Sequence, residues 1–96
     1  MTHWILSKLA RADLDEIWKW SVAHWGEARA ERYISELVEA IGLVAADPVR
    51  RRKRDEIRPG YFSVTAGSHV AFYRSTTAGI EIVRILHARM DFERHL

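Results

Sequence analysis

The stretch HVAFYRSTTAGIEIVRILHARMD, residues 69–91, decides how this chain folds. From His69 to Ser75 it alternates: Val70, Phe72 and Arg74 point one way, Ala71 and Tyr73 the other. That is the period of a β-strand. Thr76-Thr77-Ala78-Gly79 reads as a four-residue connection in which Gly79 can take a positive φ. Ile80 to Leu86 follows as a second strand. It is apolar on both faces, with Ile80, Ile82 and Leu86 on one and Val83 and Ile85 on the other, so it is expected inside a sheet rather than at its edge. Arg84 interrupts the first face and Glu81 the second. His87-Ala88-Arg89-Met90-Asp91 opens a polar tail.

Working upstream, Ala66-Gly67-Ser68 is a tight turn and Tyr61 to Thr65 another strand. Pro59-Gly60 is a turn signal. Residues 50–58 hold Arg50, Arg51, Arg52, Lys53, Arg54 and Arg58 against Asp55 and Glu56; without periodicity, they read as a basic loop. A helix from about Glu27 to Ala46 carries the stripe Ala30, Tyr33, Ile34, Leu37, Ile41 and Val44. Asp47-Pro48 ends it, because proline disfavours helical geometry at the residue before it. An earlier helix carries Leu14, Ile17, Trp18, Val22 and Trp25, and Gly26 breaks the two apart. Trp20 falls off that stripe. Ser7 is the expected N-cap, and Trp4-Ile5-Leu6 an edge strand.

The order is β-α-α-β-β-β, an α+β fold in which a helical hairpin packs on one face of a small antiparallel sheet. With 96 residues, a single domain spanning 1–96 is expected. A 48% hydrophobic content suits a globular chain. The absence of cysteine removes disulfides and thiolate metal sites. The five histidines are scattered without a His-x-x-x-His pair, so no metal site is expected, and no cofactor motif is present. No long apolar run or signal peptide is visible, so no membrane partner and a cytoplasmic location are expected.

Charge is unevenly placed. Residues 1–48 hold 5 Lys/Arg and 8 Asp/Glu, a balance of −3; residues 49–96 hold 10 and 5, a balance of +5. Twelve of the fifteen basic residues are arginine. Arginine forks bind carboxylates and phosphates bidentately, which directs attention to an acidic peptide or a nucleic acid as partner. Direct nucleic-acid binding stays open at this point.

ADLDEIW at 12–18, DEIRPG at 55–60, HVAFYR at 69–74 and IEIVRILHARMD at 80–91 together resemble the ParE branch of the RelE/ParE toxins of type II toxin–antitoxin systems. The resemblance runs from about Leu6 to Glu93. It implies a growth-inhibiting, plasmid-stabilising toxin that poisons DNA gyrase by binding, without catalytic residues of its own. It also implies a ParD-like antitoxin as the neutralising partner. On this reading the target-binding candidates are Arg58, Arg84, His87, Arg89, Met90, Asp91, Phe92 and Arg94. The antitoxin-binding candidates are Trp4 and Trp20, as exposed aromatics, and Arg74. For each arginine the competing role is a structural ion pair, with Asp55, Glu56, Glu81 or Asp91 as partners. The alternative is a RelE-like, ribosome-dependent mRNA endonuclease. That chemistry needs a general acid and base among cations, here His87, His69 or Tyr73. RelE-like relatives often keep a tyrosine where this chain has Phe92, and phenylalanine moves no proton.

Overall fold

The structure, a computed structural model, describes residues 3–47 and 52–96. It contains β1 (His3–Leu6), α1 (Lys8–Trp25), α2 (Glu27–Ala46), β2 (Arg52–Lys53), β3 (Tyr61–Ala66), β4 (His69–Thr76), β5 (Gly79–His87) and α3 (Phe92–His95). The strands form one sheet in the order β1-β5-β4-β3-β2. The α+β layering and the helical hairpin are as the sequence implies. The sheet is mixed rather than antiparallel, because β1 pairs with β5 in parallel. A chain that leaves β1 through two antiparallel helices and then a meander returns beside it in the same direction.

Each local element has a visible cause. The Ser7 hydroxyl accepts from the Ala10 N–H at 3.0 Å, capping α1. Gly26, at φ +87, serves both helices. Its N–H donates to the Val22 carbonyl at 2.9 Å, closing α1, and its own carbonyl accepts from Ala30 at 3.1 Å, opening α2. The β4–β5 connection is tighter than the four residues expected: Thr76 pairs with Gly79, leaving Thr77-Ala78 as the turn. The basic loop is also partly ordered into β2, where Arg52 pairs with Ser63 and Lys53 with Phe62. Arg50 and Arg51 of that loop lie outside the described residues, as does Pro48.

The main core lies between the hairpin and the sheet. Ile17, Leu37, Ile41 and Val44 of the helices meet Ala71, Tyr73, Ile80, Ile82 and Ile85 of the strands. The second face of the sheet carries a smaller core of Val70, Phe72 and Leu86, covered by Ile57, Phe92 and Leu96. The supposedly polar tail thus folds into α3 and caps this face.

Strict alternation along β5 fails at a β-bulge. Phe72 pairs with Arg84, but Tyr73 pairs with Ile82, so Val83 is the extra residue. The bulge moves Ile85 to the helix side with Ile80 and Ile82, and Leu86 to the opposite side. It also puts Arg84 and Glu81 on one face, correcting their expected separation. Glu81 consequently stands opposite Arg74, whose Nε donates to it at 2.7 Å.

Candidate functional site

Two sets of side chains converge at the end of the sheet where β5 emerges. The first is organised by Asp13 of α1. β1 ends opposite Ile82, which leaves the following residues of β5 without a neighbouring strand on that side. Ser7 and Asp13 supply that edge instead. The Ser7 N–H donates to the Ile82 carbonyl at 2.9 Å and its hydroxyl to the Val83 carbonyl at 2.7 Å. Asp13 accepts the Ile85 N–H at 2.9 Å. The same carboxylate receives Arg84 bidentately, from Nε at 2.7 Å and Nη2 at 2.8 Å. Both side chains are about 15% exposed, so the pair is largely shielded from water. Its hydrogen bonds raise the pKa of the Arg84 guanidinium, against the opposing effect of partial burial. The remaining Nη1 of Arg84 donates to the His95 carbonyl at 2.9 Å.

The second set surrounds a cavity of about 490 Å³. Glu16, Ile17, Trp20 and Trp25 line it from the helical hairpin's first arm, Tyr33 from the second, and Ser68, His69 and His87 from the sheet. A smaller hollow of about 210 Å³ shares Glu16, Ile17, His69 and His87 and extends to Met90. The aromatic rings form a chain: Trp20 on Trp25 edge-on at 5.3 Å, Trp25 on Tyr33 at 5.4 Å, Tyr33 on His69 at 5.6 Å, and His69 on His87 at 5.3 Å. Trp20 is 52% exposed and stacks on His24.

The hydroxyl of Tyr33 accepts the Ser68 N–H at 3.0 Å and lies 2.6 Å from Nδ1 of His69. A separation of 2.6 Å suits an O–H donor, and the other acceptor in reach, the Ala66 carbonyl, is 3.4 Å away. Tyr33 therefore donates to His69. Nδ1 of His87 likewise accepts, from the Arg89 N–H at 3.1 Å. Burial, and secondarily the neighbouring His87, hold the His69 pKa below the usual imidazole value.

The remaining candidates are dispersed. Arg58 donates to the Leu96 carbonyl at 2.5 Å and lies over Tyr61. Phe92 packs edge-on against Phe72, and Asp91 caps α3 by accepting the Glu93 N–H at 3.2 Å. Arg74 and Glu81 form their cross-strand pair on the far face. Trp4, expected to be exposed, is half-buried against the main core. Arg89 and Arg94 are exposed, and neither side chain has a hydrogen bond or ion pair among the described residues. Met90 beside them is 37% exposed. The sequence reading missed Asp13 as the partner of Arg84, 71 positions away in the chain, and Tyr33, Trp25 and Glu16 as cavity residues. A periodic stripe assigned Tyr33 and Trp25 to the core, and only tertiary placement turns them toward a hollow.

A helical hairpin packed on a mixed five-stranded sheet is the fold shared with solved ParE and RelE toxins. The family model for the ParE toxin of the type II toxin–antitoxin system parDE matches residues 4–92. Toxin ParE1 of Mycobacterium tuberculosis is 49% identical over 96 residues, covering 99% of this chain and 98% of the relative. Toxin ParE1 of Caulobacter vibrioides is 40% identical, covering 100% and 99%. A solved chain of the chromosomal ParDE system from P. aeruginosa superposes with a TM-score of 0.77 at 25% identity, covering 91% of this chain and 96% of that one. One from the RelBE2 toxin–antitoxin complex of M. tuberculosis shares the fold, at TM-score 0.61, 23% identity and 90% of each chain. The chain belongs to the ParE toxin family of type II toxin–antitoxin systems.

Proposed function

We propose that this toxin poisons DNA gyrase by binding and is held inactive by a ParD-like antitoxin. The observation that carries the gyrase reading is the state of the arginines. Arg84, Arg74 and Arg58 are occupied by Asp13, Glu81 and the Leu96 carbonyl. Arg89 and Arg94 are the cations of the candidate set left to meet a target, and they flank the exposed Met90. Two uncommitted guanidinium forks beside an apolar anchor suit a protein interface. Phosphodiester cleavage would need an acid and a base among clustered cations. Here Phe92 packs on Phe72, Tyr73 is fully buried and Nδ1 of His69 is engaged by Tyr33; His87 is left as the accessible candidate, and the nearby Arg84 is committed to Asp13 rather than clustered about a phosphate site. Binding is therefore favoured over mRNA cleavage. A gyrase target implies action in the cytoplasm; among the described residues no helix is long and apolar enough to cross a membrane.

The antitoxin reading rests on family membership, on likeness to a chain of a ParDE system, and on the basic second half, which suits an acidic partner. Trp20 and Arg74 are its exposed candidate contacts, while Trp4 offers only its half-buried ring.

The test adds purified toxin to gyrase, relaxed plasmid and ATP. Cleaved DNA complexes are expected to accumulate with toxin dose, and the folded double variant Arg89→Ala/Arg94→Ala is expected to lose at least about tenfold in potency. Gyrase left untouched by a folded preparation that arrests cells would overturn the reading. Co-purification with the product of the adjacent small reading frame tests the partner.

A further inference from the structure

We propose that the cavity between α1 and the His69/His87 end of the sheet is an anchor pocket for an acidic and apolar segment of the antitoxin. An apolar side chain would lie against Trp20 and Trp25, and a neighbouring carboxylate would accept hydrogen bonds from Nε2–H of both histidines. The inference rests on the antitoxin reading above and adds the chemistry of one contact.

The hydrogen bonds at the other ring nitrogens carry the argument. Nδ1 accepts in both rings, from Tyr33 in His69 and from the Arg89 backbone in His87. A neutral imidazole has one acceptor and one donor nitrogen, so in each ring the proton sits on Nε2. Neither Nε2 has a hydrogen-bond partner among the described residues, and both rings line the cavity. With centroids 5.3 Å apart and planes at 81°, the two rings suit a group that accepts from two directions. A carboxylate, with two oxygens and about four lone pairs, is such a group. The far end of the cavity is aromatic, and its volume of about 490 Å³ admits a large side chain.

Charges around the rings both oppose and support an anion there. Glu16, on α1, lines both hollows together with the two histidines, so the carboxylate must be held by the paired Nε2–H donors against its repulsion. Lys19 reaches Glu16 only loosely, at 3.9 Å with both side chains exposed, and neutralises little of it. The other titratable groups facing the imidazoles are Tyr33 on α2 and, across the smaller hollow, Asp13 and Arg84, which neutralise one another. Arg89 follows His87 by two residues and adds positive potential.

Two measurements decide the matter. First, NMR of the histidine side chains follows titration of the toxin with indole-3-acetate and with indole-3-acetamide, which match in shape and differ in charge. The acid is expected to bind about tenfold or more tighter than the amide, from hydrogen bonds to a charged group. Glu16→Gln should tighten the acid further. His87→Leu, which removes the Nε2–H donor and is checked for folding by circular dichroism, should reduce the difference between the two probes. Equal affinities, or shifts that bypass His69 and His87, would overturn the proposal. Second, calorimetry of toxin with the co-encoded antitoxin should show binding weakened about tenfold or more in His87→Leu. Tight antitoxin binding with no effect of the variant would overturn this inference and leave the antitoxin reading standing. Failure of that antitoxin to bind would overturn the reading and this occupant together, whatever the probes do.

Discussion

Asp13 joins an α-helix to a strand edge and neutralises an arginine with one carboxylate. Removing it leaves the Ile85 N–H without its acceptor and Arg84 without its counter-charge in a site about 15% exposed. Asp13→Ala is therefore expected to destabilise the fold by about 2–4 kcal/mol, read as a lowered urea midpoint at unchanged slope. Asp13→Asn, which can still accept from Ile85, should cost less. His69 gives a prediction of opposite character. Its pKa is lowered in the folded state, so the unfolded chain binds more protons as the medium acidifies. Its contribution to stability is present above the ordinary imidazole pKa of about 6.5 and is lost progressively as pH falls from there through the lower folded-state value. Urea midpoints measured at about pH 7.5 and about pH 5.5, on either side of the ordinary value, should converge when His69→Gln is compared with the parent chain. A difference between the two chains that grows on acidification would show the sign to be wrong.

Among the elements, two glycines separate steric need from mere tolerance. At Gly79 a Cβ would stand 2.0 Å from the His3 carbonyl oxygen, and φ is +149. The parallel β1–β5 pairing starts at this residue, so Gly79→Ala should destabilise by about 2 kcal/mol or more and loosen β1 first, seen as faster amide exchange. At Gly42, inside α2, an added methyl group would meet nothing within 4 Å, and φ is not positive. Gly42→Ala should stabilise by up to about 1 kcal/mol, checked by thermal unfolding. The helix stripes were legible at this scale because a 3.6-residue period is written into the order of side chains. The faces of β5 were not, because the bulge at Val83 depends on how β4 pairs with it.

Over the molecule as a whole, the sheet is covered unequally. The hairpin shields one face with a large core, and α3 shields part of the other with Phe92 and Leu96. Arg54 braces this smaller layer, donating to Ser63 Oγ at 2.7 Å and lying 5.9 and 5.8 Å from the centres of the Phe72 and Phe92 rings. Phe92→Ala should cost about 2 kcal/mol, below the range for a fully buried phenylalanine because its ring is only partly enclosed. The measurement is chemical unfolding, and increased binding of a hydrophobic dye would report exposure of Val70, Phe72 and Leu86. The tail that carries Arg89, Met90 and Arg94 is thus anchored at its far end, which limits the freedom that a target interface would otherwise have to remove.

The two helices, their glycine junction, the three-stranded meander and the basic second half are all written in the order of residues. They follow from local periodicity, turn chemistry and charge count, which act over a few positions, and the family's pattern of short motifs lies in the same order. The parallel run of β1 beside β5, the pairing of Arg84 with Asp13, and the cavity wall that Tyr33, His69 and His87 share with Trp20 and Trp25 come from the folded molecule alone. Those are contacts between residues far apart in the chain. Local propensity contains no term for such pairs, and they exist once burial of both faces of the sheet has fixed how the hairpin and the tail lie across it.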